Sequence, residues 1–292
     1  MQKTRRSQFS NAPTQKAVEL REWDYNVFKL LHPELGYQEL PSNWIVGLAG
    51  GYYKDKLERL ATLSQPPHSY LVRNKTKKDF FRHSTYTRWH KLDAMLEQKP
   101  AYLGGSRAHL LFSSLIVAST ELGINADPHS KLLRFIDLHT IGWTANYERR
   151  RVPYAEDILK IPSQKSYFLP DWRPFRIERK SKAYFIFDEA ERSEKNAKEL
   201  KEKIGNWLYF FEHRIYRSRF NFGSNTLVRF TFNDEATMRR AMSYVDNSPH
   251  LIFSQWRDFN QDISFPKPTD TFYTRDYECV GHPPVNFSKL GE

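Results

Sequence analysis

The sequence predicts an α+β / α/β chain in two parts: a small helix-rich unit first, then a larger α/β sandwich on a mixed central sheet. Three observations lead there. The chain has 292 residues, and 16 Tyr, 21 Phe and 7 Trp are enough to fill two cores. Its charge is segregated: the formal net charge is +11, and Lys54 to Arg107 alone holds 12 Lys+Arg against 5 Asp+Glu. Its periodicity changes at Gly104-Gly105, from short amphipathic helices before to alternating strands and helices after.

The same composition excludes several classes. Aromatic content rules out global disorder. No apolar run reaches the roughly 20 residues of a membrane span; Leu110 to Leu122 is broken by Ser113, Ser114, Ser119, Thr120 and Glu121. One cysteine, Cys279, excludes an intrachain disulfide framework and a cysteine-based zinc site. The ten histidines show no His-x-x-x-His pair, and Gly104-Gly105 lacks the Lys-Ser/Thr of a phosphate loop. His109 reads as a core histidine. Met1 to Ser10 is polar and basic rather than signal-like, so the chain reads as cytosolic, with no membrane partner.

Residues 1–22 read as a flexible basic arm with Lys3, Arg5 and Arg6. Helices are then expected after Asp24 (Tyr25, Val27, Phe28, Leu30, Leu31 inward), after Ser42 (Trp44, Ile45, Leu48), and over Tyr53 to Leu63 (Leu57, Leu60, Leu63). The far side of the third carries Lys54, Lys56 and Arg59. Tyr70 to Arg73 alternates like a strand, and Asn74 to Lys78 is a basic loop. Helix, helix, basic helix, strand and basic loop is the order of a winged helix-turn-helix, here bounded at 23–103. A recognition helix fits the major groove while its cations meet phosphates on either rim. The expected DNA-binding residues are Tyr52, Tyr53, Lys54, Lys56, Arg59, Arg73, Lys75, Lys77 and Lys78. From Phe80 the aromatic and basic stretch to residue 103 reads as helix packing under the wing.

The α/β unit is expected over 106–255. It opens with a buried helix at Leu110 to Leu122 and a strand at Lys131 to His139; a polar excursion over Tyr147 to Lys160 follows. Next come Leu169-Pro170-Asp171, an alternating segment from Phe175, and the apolar strand Ala183 to Phe187 ending in Asp188-Glu189. A charged helix follows (Ser193 to Tyr216), then a strand (Leu227 to Phe232), an acid-capped helix (Asp234 to Asn247) and a last strand (Leu251 to Phe253). An aromatic tail over 256–292 reads as a strap that wraps its own domain, or docks a partner.

Carboxylates on neighbouring strands about 4.8 Å apart can converge, and converging carboxylates hold Mg²⁺ through oxygen. Asp171 and Asp188 are placed so; with Glu121 and Glu194 from the flanking helices they make the candidate metal cluster, and with Lys203 the candidate catalytic set. The generic nuclease pattern is Pro-Asp, a spacer, then acid-x-Lys. Counted from Asp188, the lysine position is Ala190; counted from Glu189, it is Glu191, with Lys195 or Lys203 as a substitute cation.

These residues together resemble the replication-relaxation family of bacterial plasmid and mobile-element proteins. The resemblance runs from Trp23 to Asn247. It is carried by Leu40-Pro41-Ser42-Asn43-Trp44-Ile45, Leu57-Glu58-Arg59-Leu60 with Tyr70-Leu71-Val72-Arg73, and His109 with Ala118-Ser119-Thr120-Glu121-Leu122. Leu169-Pro170-Asp171, Asp188 with Ser193-Glu194, and Lys203-Ile204 complete it. The resemblance implies a winged helix followed by a domain similar to PD-(D/E)XK nucleases, with Glu121 facing Asp171 and Asp188. The chain departs from it at Ala190, where the family has an acid two residues after the Asp188 position. The leading expectation is a double-stranded DNA-binding protein in replication, transfer or transcriptional control of a mobile element, a homodimer with a degenerate nuclease-like domain. The alternatives are a Mg²⁺-dependent endonuclease using Asp171 and Asp188, and an interaction module in a nucleoprotein assembly.

Overall fold

The computed structural model describes residues 19–31, 37, 39–66, 69–75, 79–83, 107–133, 170–191, 196–220, 222–256, 266–267 and 270–291. The fold is mixed α+β, with seven α-helices and two sheets among those residues. The arm at 1–18 and the excursion over 147–160 lie outside the described residues.

The N-terminal unit runs α1 (Glu22–Leu30), β1 (Glu39–Pro41), α2 (Ser42–Ala49), α3 (Tyr53–Leu63), β2 (Leu71–Lys75) and β3 (Asp79–His83). The three strands pair antiparallel in the order β1-β3-β2. Pro41 is tolerated because β1 is an edge strand that ends as α2 begins. Val27, Phe28, Trp44, Ile45, Leu60, Leu63, Leu71 and Phe81 form the core. One expectation is corrected here. Phe80 to His83 is not helical but the middle strand, because Phe81 sits opposite Leu40 on one side and Arg73 on the other. The rest of that stretch, 84–103, lies outside the described residues.

The second unit runs α4 (Arg107–Asn125), β4 (Ser130–Leu133), β5 (Trp172–Arg179), β6 (Lys182–Glu191), α5 (Ala197–Glu212) and α6 (Ile215–Phe220). It continues with β7 (Thr226–Phe232), α7 (Glu235–Met242), β8 (Leu251–Gln255), β9 (Asp276–Cys279) and β10 (His282–Asn286). The sheet order is β10-β9-β8-β7-β6-β5-β4; β6, β7 and β8 are parallel and the other neighbours antiparallel. β7 is buried at every residue, as a central strand covered on both faces must be. Asn196 and Asp234 cap α5 and α7 by accepting from Lys198 N (2.8 Å) and Thr237 N (2.7 Å).

Strand alternation divides the sheet into two faces. Phe187, Val228, Phe230, Phe232 and Phe253 pack on Leu200, Ile204, Trp207 and Phe210 of α5. Each such side chain contributes about 1.5–3 kcal/mol by leaving water. Ile186, Ala190, Leu227 and Ile252 pack on Phe112, Leu115 and Ile116 of α4, and this second core is continuous with that of the N-terminal unit. The segment after residue 255 supplies β9 and β10 and adds Phe272, Tyr273, Tyr277 and Phe287 to the same core. Gly123 lets α4 lie against that segment: a Cβ there would collide with Thr271 and Tyr273.

Candidate functional site

β6 delivers consecutive acids to opposite faces of the sheet, because side chains alternate along a strand. Asp188 shares the α4 face with Ile186 and Ala190, and lies beside Arg229 of parallel β7. Its two oxygens accept from Arg229 Nε (2.5 Å) and Nη2 (2.8 Å). Arg229 Nη1 donates to Thr120 Oγ1 (2.7 Å) and the Tyr277 hydroxyl (3.1 Å). The rings of Phe175, Phe272, Tyr277 and Phe287 surround the guanidinium at 5.7–5.9 Å. Burial pushes the Asp188 carboxyl up against the pull of Arg229, whose own pKa is held above the ordinary value by Asp188 and Tyr277 despite burial. The expected convergence of Asp188 with Asp171 is thereby corrected: Asp188 is a closed structural ion pair, not a ligand in that cluster.

Glu189 and Glu191 project to the α5 face and form the other group. Asp171, immediately before β5, joins them. A ligand oxygen from each of the three lies within 4.8 Å of the others, and among the described residues this is the carboxylate group able to hold a metal ion. Lys203 reaches it from α5: its Nζ is 3.1 Å from Asp171 Oδ2 and 2.7 Å from Glu191 Oε1, and also pairs with Glu189 Oε2. Asp171 Oδ2 further accepts from Ala190 N (2.9 Å), and Oδ1 meets His109 Nε2 at 3.0 Å. Trp207 Nε1 donates to Glu189 Oε1 at 2.7 Å. His109, expected to be a core histidine, therefore stands at the rim of the cluster.

Electrostatics follow from this packing. Burial opposes the Asp171 charge, yet Lys203 and His109 outweigh it and hold the carboxyl well below its usual range. Burial pushes Glu189 well up; Lys203 pulls it down, while the charge of Asp171 adds to the rise. Burial alone would discharge Lys203, but Asp171, Glu189 and Glu191 hold it protonated. Three hard oxygen donors suit Mg²⁺ or Mn²⁺, and Glu189 Oε2 is buried with the Lys203 ion pair but no well-directed hydrogen bond. The donor set fits a divalent ion.

Of the other expected ligands, Glu121 accepts from the Tyr37 hydroxyl where the two units meet; it is not one of the three converging carboxylates. Tyr37 also accepts from Ser114 Oγ through its carbonyl (2.9 Å), and its ring stacks on Trp172 at 5.8 Å. Glu194 and Lys195 lie outside the described residues.

The expected DNA-binding residues separate. Tyr52, Tyr53 and Lys54 are exposed at the head of α3, and Arg73 is exposed on β2. Lys56 lies 4.6 Å over the Trp23 ring. Arg59 turns to Asp24 on α1, donating through Nε (2.9 Å) and Nη2, with a further bond to Glu19 O (2.6 Å). Lys75 is in β2, but nothing of its side chain is described; Lys77 and Lys78 lie outside the described residues.

Arg229 escaped the sequence reading although it left a signal, a lone charge inside the apolar run Thr226 to Phe232. No family model, curated protein or solved structure matches this chain. No described helix is long and apolar enough to cross a membrane.

Proposed function

We propose that the chain binds double-stranded DNA through its N-terminal unit, read as a winged helix-turn-helix, and acts on it with a PD-(D/E)XK-like second domain. The observation that carries this reading is the convergence of Asp171, Glu189 and Glu191 on Lys203. Pro170-Asp171 leads into β5 and Glu189-x-Glu191 ends β6, the order in which the nuclease pattern places its acids. Counted from Glu189 rather than Asp188, the second acid of the replication-relaxation resemblance is present, as Glu191. Lys203 stands in for the missing lysine from the following helix.

Asp171, Glu189 and Glu191 would hold a Mg²⁺ ion, which would supply water activation and stabilisation of the leaving oxygen in phosphodiester hydrolysis. Lys203 offsets the charge of the carboxylates and can hydrogen-bond a phosphate oxygen or water at their edge. Trp207 and the Ala190 amide fix Glu189 and Asp171 in place. Plasmid nicking or linearisation with Mg²⁺ or Mn²⁺ tests the reading: the wild type cleaves, and Asp171→Ala and Glu189→Gln do not. Absence of cleavage by the wild type with both ions removes the enzyme.

A second reading, DNA binding without cleavage, is favoured by the same Lys203, which already meets all three carboxylates and so neutralises part of the cluster. It predicts salt-sensitive gel shifts from a protein that never cuts. The replication-relaxation resemblance is what attaches either reading to replication, transfer or control of a mobile element. Both readings share the expectation of a homodimer on palindromic sites, which light scattering checks.

A further inference from the structure

Among the described residues, the large apolar side chains left exposed are Tyr25, Tyr52, Tyr53 and Val72, and all four belong to the N-terminal unit. Scattered exposed aromatics are ordinary. Tyr52 and Tyr53 differ in being adjacent, 72% and 49% exposed, and held on a built turn. Gly50 and Gly51 connect α2 to α3 at φ +75° and +108°, backbone that side chains bearing a Cβ rarely adopt. Trp23 Nε1 donates to Gly50 O at 2.7 Å, and Lys56 lies over the same indole. The turn that thrusts Tyr52 outward is thus braced from α1.

The rest of α3 does not offer the cationic stripe that its sequence suggests. Lys56 is engaged with Trp23, Arg59 with Asp24, and Asp55 and Glu58 are themselves exposed. What the head of the helix presents is two tyrosine rings and Lys54. A tyrosine face binds a base by stacking, and bases inside an intact duplex already stack on one another. Only an unpaired base, or one wedged out of its stack, has a free face.

We propose that Tyr52, with Tyr53 beside it, stacks on unpaired bases, so that the substrate is duplex DNA adjoining a melted or mismatched stretch. This rests on the DNA-binding reading above. The surplus of 12 Lys+Arg over 5 Asp+Glu between Lys54 and Arg107 suits a polyanion rather than a neutral apolar partner.

The full chain is titrated by fluorescence anisotropy against a fully paired duplex and against the same duplex with a short mismatched bubble containing 2-aminopurine. The bubble is expected to bind about tenfold tighter, with quenching of the 2-aminopurine. Tyr52→Ala brings the affinity for the bubble down to that for the paired duplex and removes the quenching. Tyr52→Phe, which keeps the ring, preserves the preference and the quenching, and Lys54→Ala weakens the two DNAs by the same factor. Equal affinity for the two DNAs, or a preference that survives in the Tyr52→Ala/Tyr53→Ala double variant, overturns the inference and leaves DNA binding standing. Binding to neither DNA overturns both.

Discussion

Two carboxylates adjacent in sequence, Asp188 and Glu189, occupy opposite faces of one strand and opposite kinds of environment. On the α4 face, one acid meets one guanidinium, whose Nη1 donates to Thr120 and Tyr277 inside a cage of rings. Both Asp188 oxygens are occupied by the guanidinium. On the α5 face, three acids share one lysine, and the Asp171 and His109 edge is partly open to solvent at 17% and 24%. The contrast separates a group that holds the fold from a group that can accept a cation, and it turns on charge stoichiometry and access rather than on residue type.

The largest effect should come from breaking the closed pair. Arg229→Ala leaves Asp188 buried and unpaired, and we expect a loss of about 3–5 kcal/mol in urea unfolding. The double variant Arg229→Met/Asp188→Leu should recover much of that loss, because no uncompensated charge remains.

Next is the open group. A divalent ion that binds only the folded protein should stabilise the wild type by about 2.7 kcal/mol at a hundredfold excess over its Kd. Thermal melts with and without Mn²⁺ read this directly; Glu189→Gln should melt at the same temperature in both. An equal shift in that variant would place the ion elsewhere.

The contrast between closed and open groups recurs in the N-terminal unit. Arg59 and the fully buried Asp24 form a closed pair, whereas Lys54 is open. Arg59→Met should therefore cost about 2 kcal/mol of stability, as loss of a charged hydrogen bond does. Lys54→Ala should leave stability alone and reduce the salt dependence of the proposed DNA binding.

Much of this was legible in the sequence, for identifiable reasons. Periodicity located α2, α3 and β7, since Trp44-Ile45, Leu60-Leu63 and the apolar run around Arg229 each carry a clear spacing, and the Asp234 cap located α7; Ser42, expected to cap α2, is instead its first residue after Pro41. That Asp171 and Lys203 belong to one side-chain group was legible from the Pro-Asp pair and the helix that follows β6. Asp188 misled because the acid-x-Lys count can start from either of two consecutive acids, and choosing the wrong one turns every residue to the other face. Neither Arg59's turn to Asp24, 35 positions away, nor the pairing of Phe81 between two strands is written in local pattern. Both are tertiary contacts.

The smallest effect concerns pH. Burial opposes the Asp127 charge, but hydrogen bonds from Tyr273, His129 N, Ser130 and Arg179 outweigh it and hold the carboxyl below its usual range. A depressed carboxyl stabilises the fold above its unfolded value near 3.9, and that contribution is lost as pH falls towards its folded value. Asp127→Asn should flatten the acid side of the stability curve by about 1 kcal/mol. Tyr273, pushed up to about 12 chiefly by burial and by its bond to Asp127, keeps its proton through this range. Its contribution disappears only as pH rises from about 10 towards that value.

Isothermal titration of Mn²⁺ into the folded wild type, Glu189→Gln and Asp188→Asn separates the two faces of β6 most directly. The isosteric Asp188→Asn should titrate as the wild type does, and Glu189→Gln should take up no ion. Loss of binding in folded Asp188→Asn, or wild-type binding by Glu189→Gln, would contradict the division of roles between these neighbouring acids.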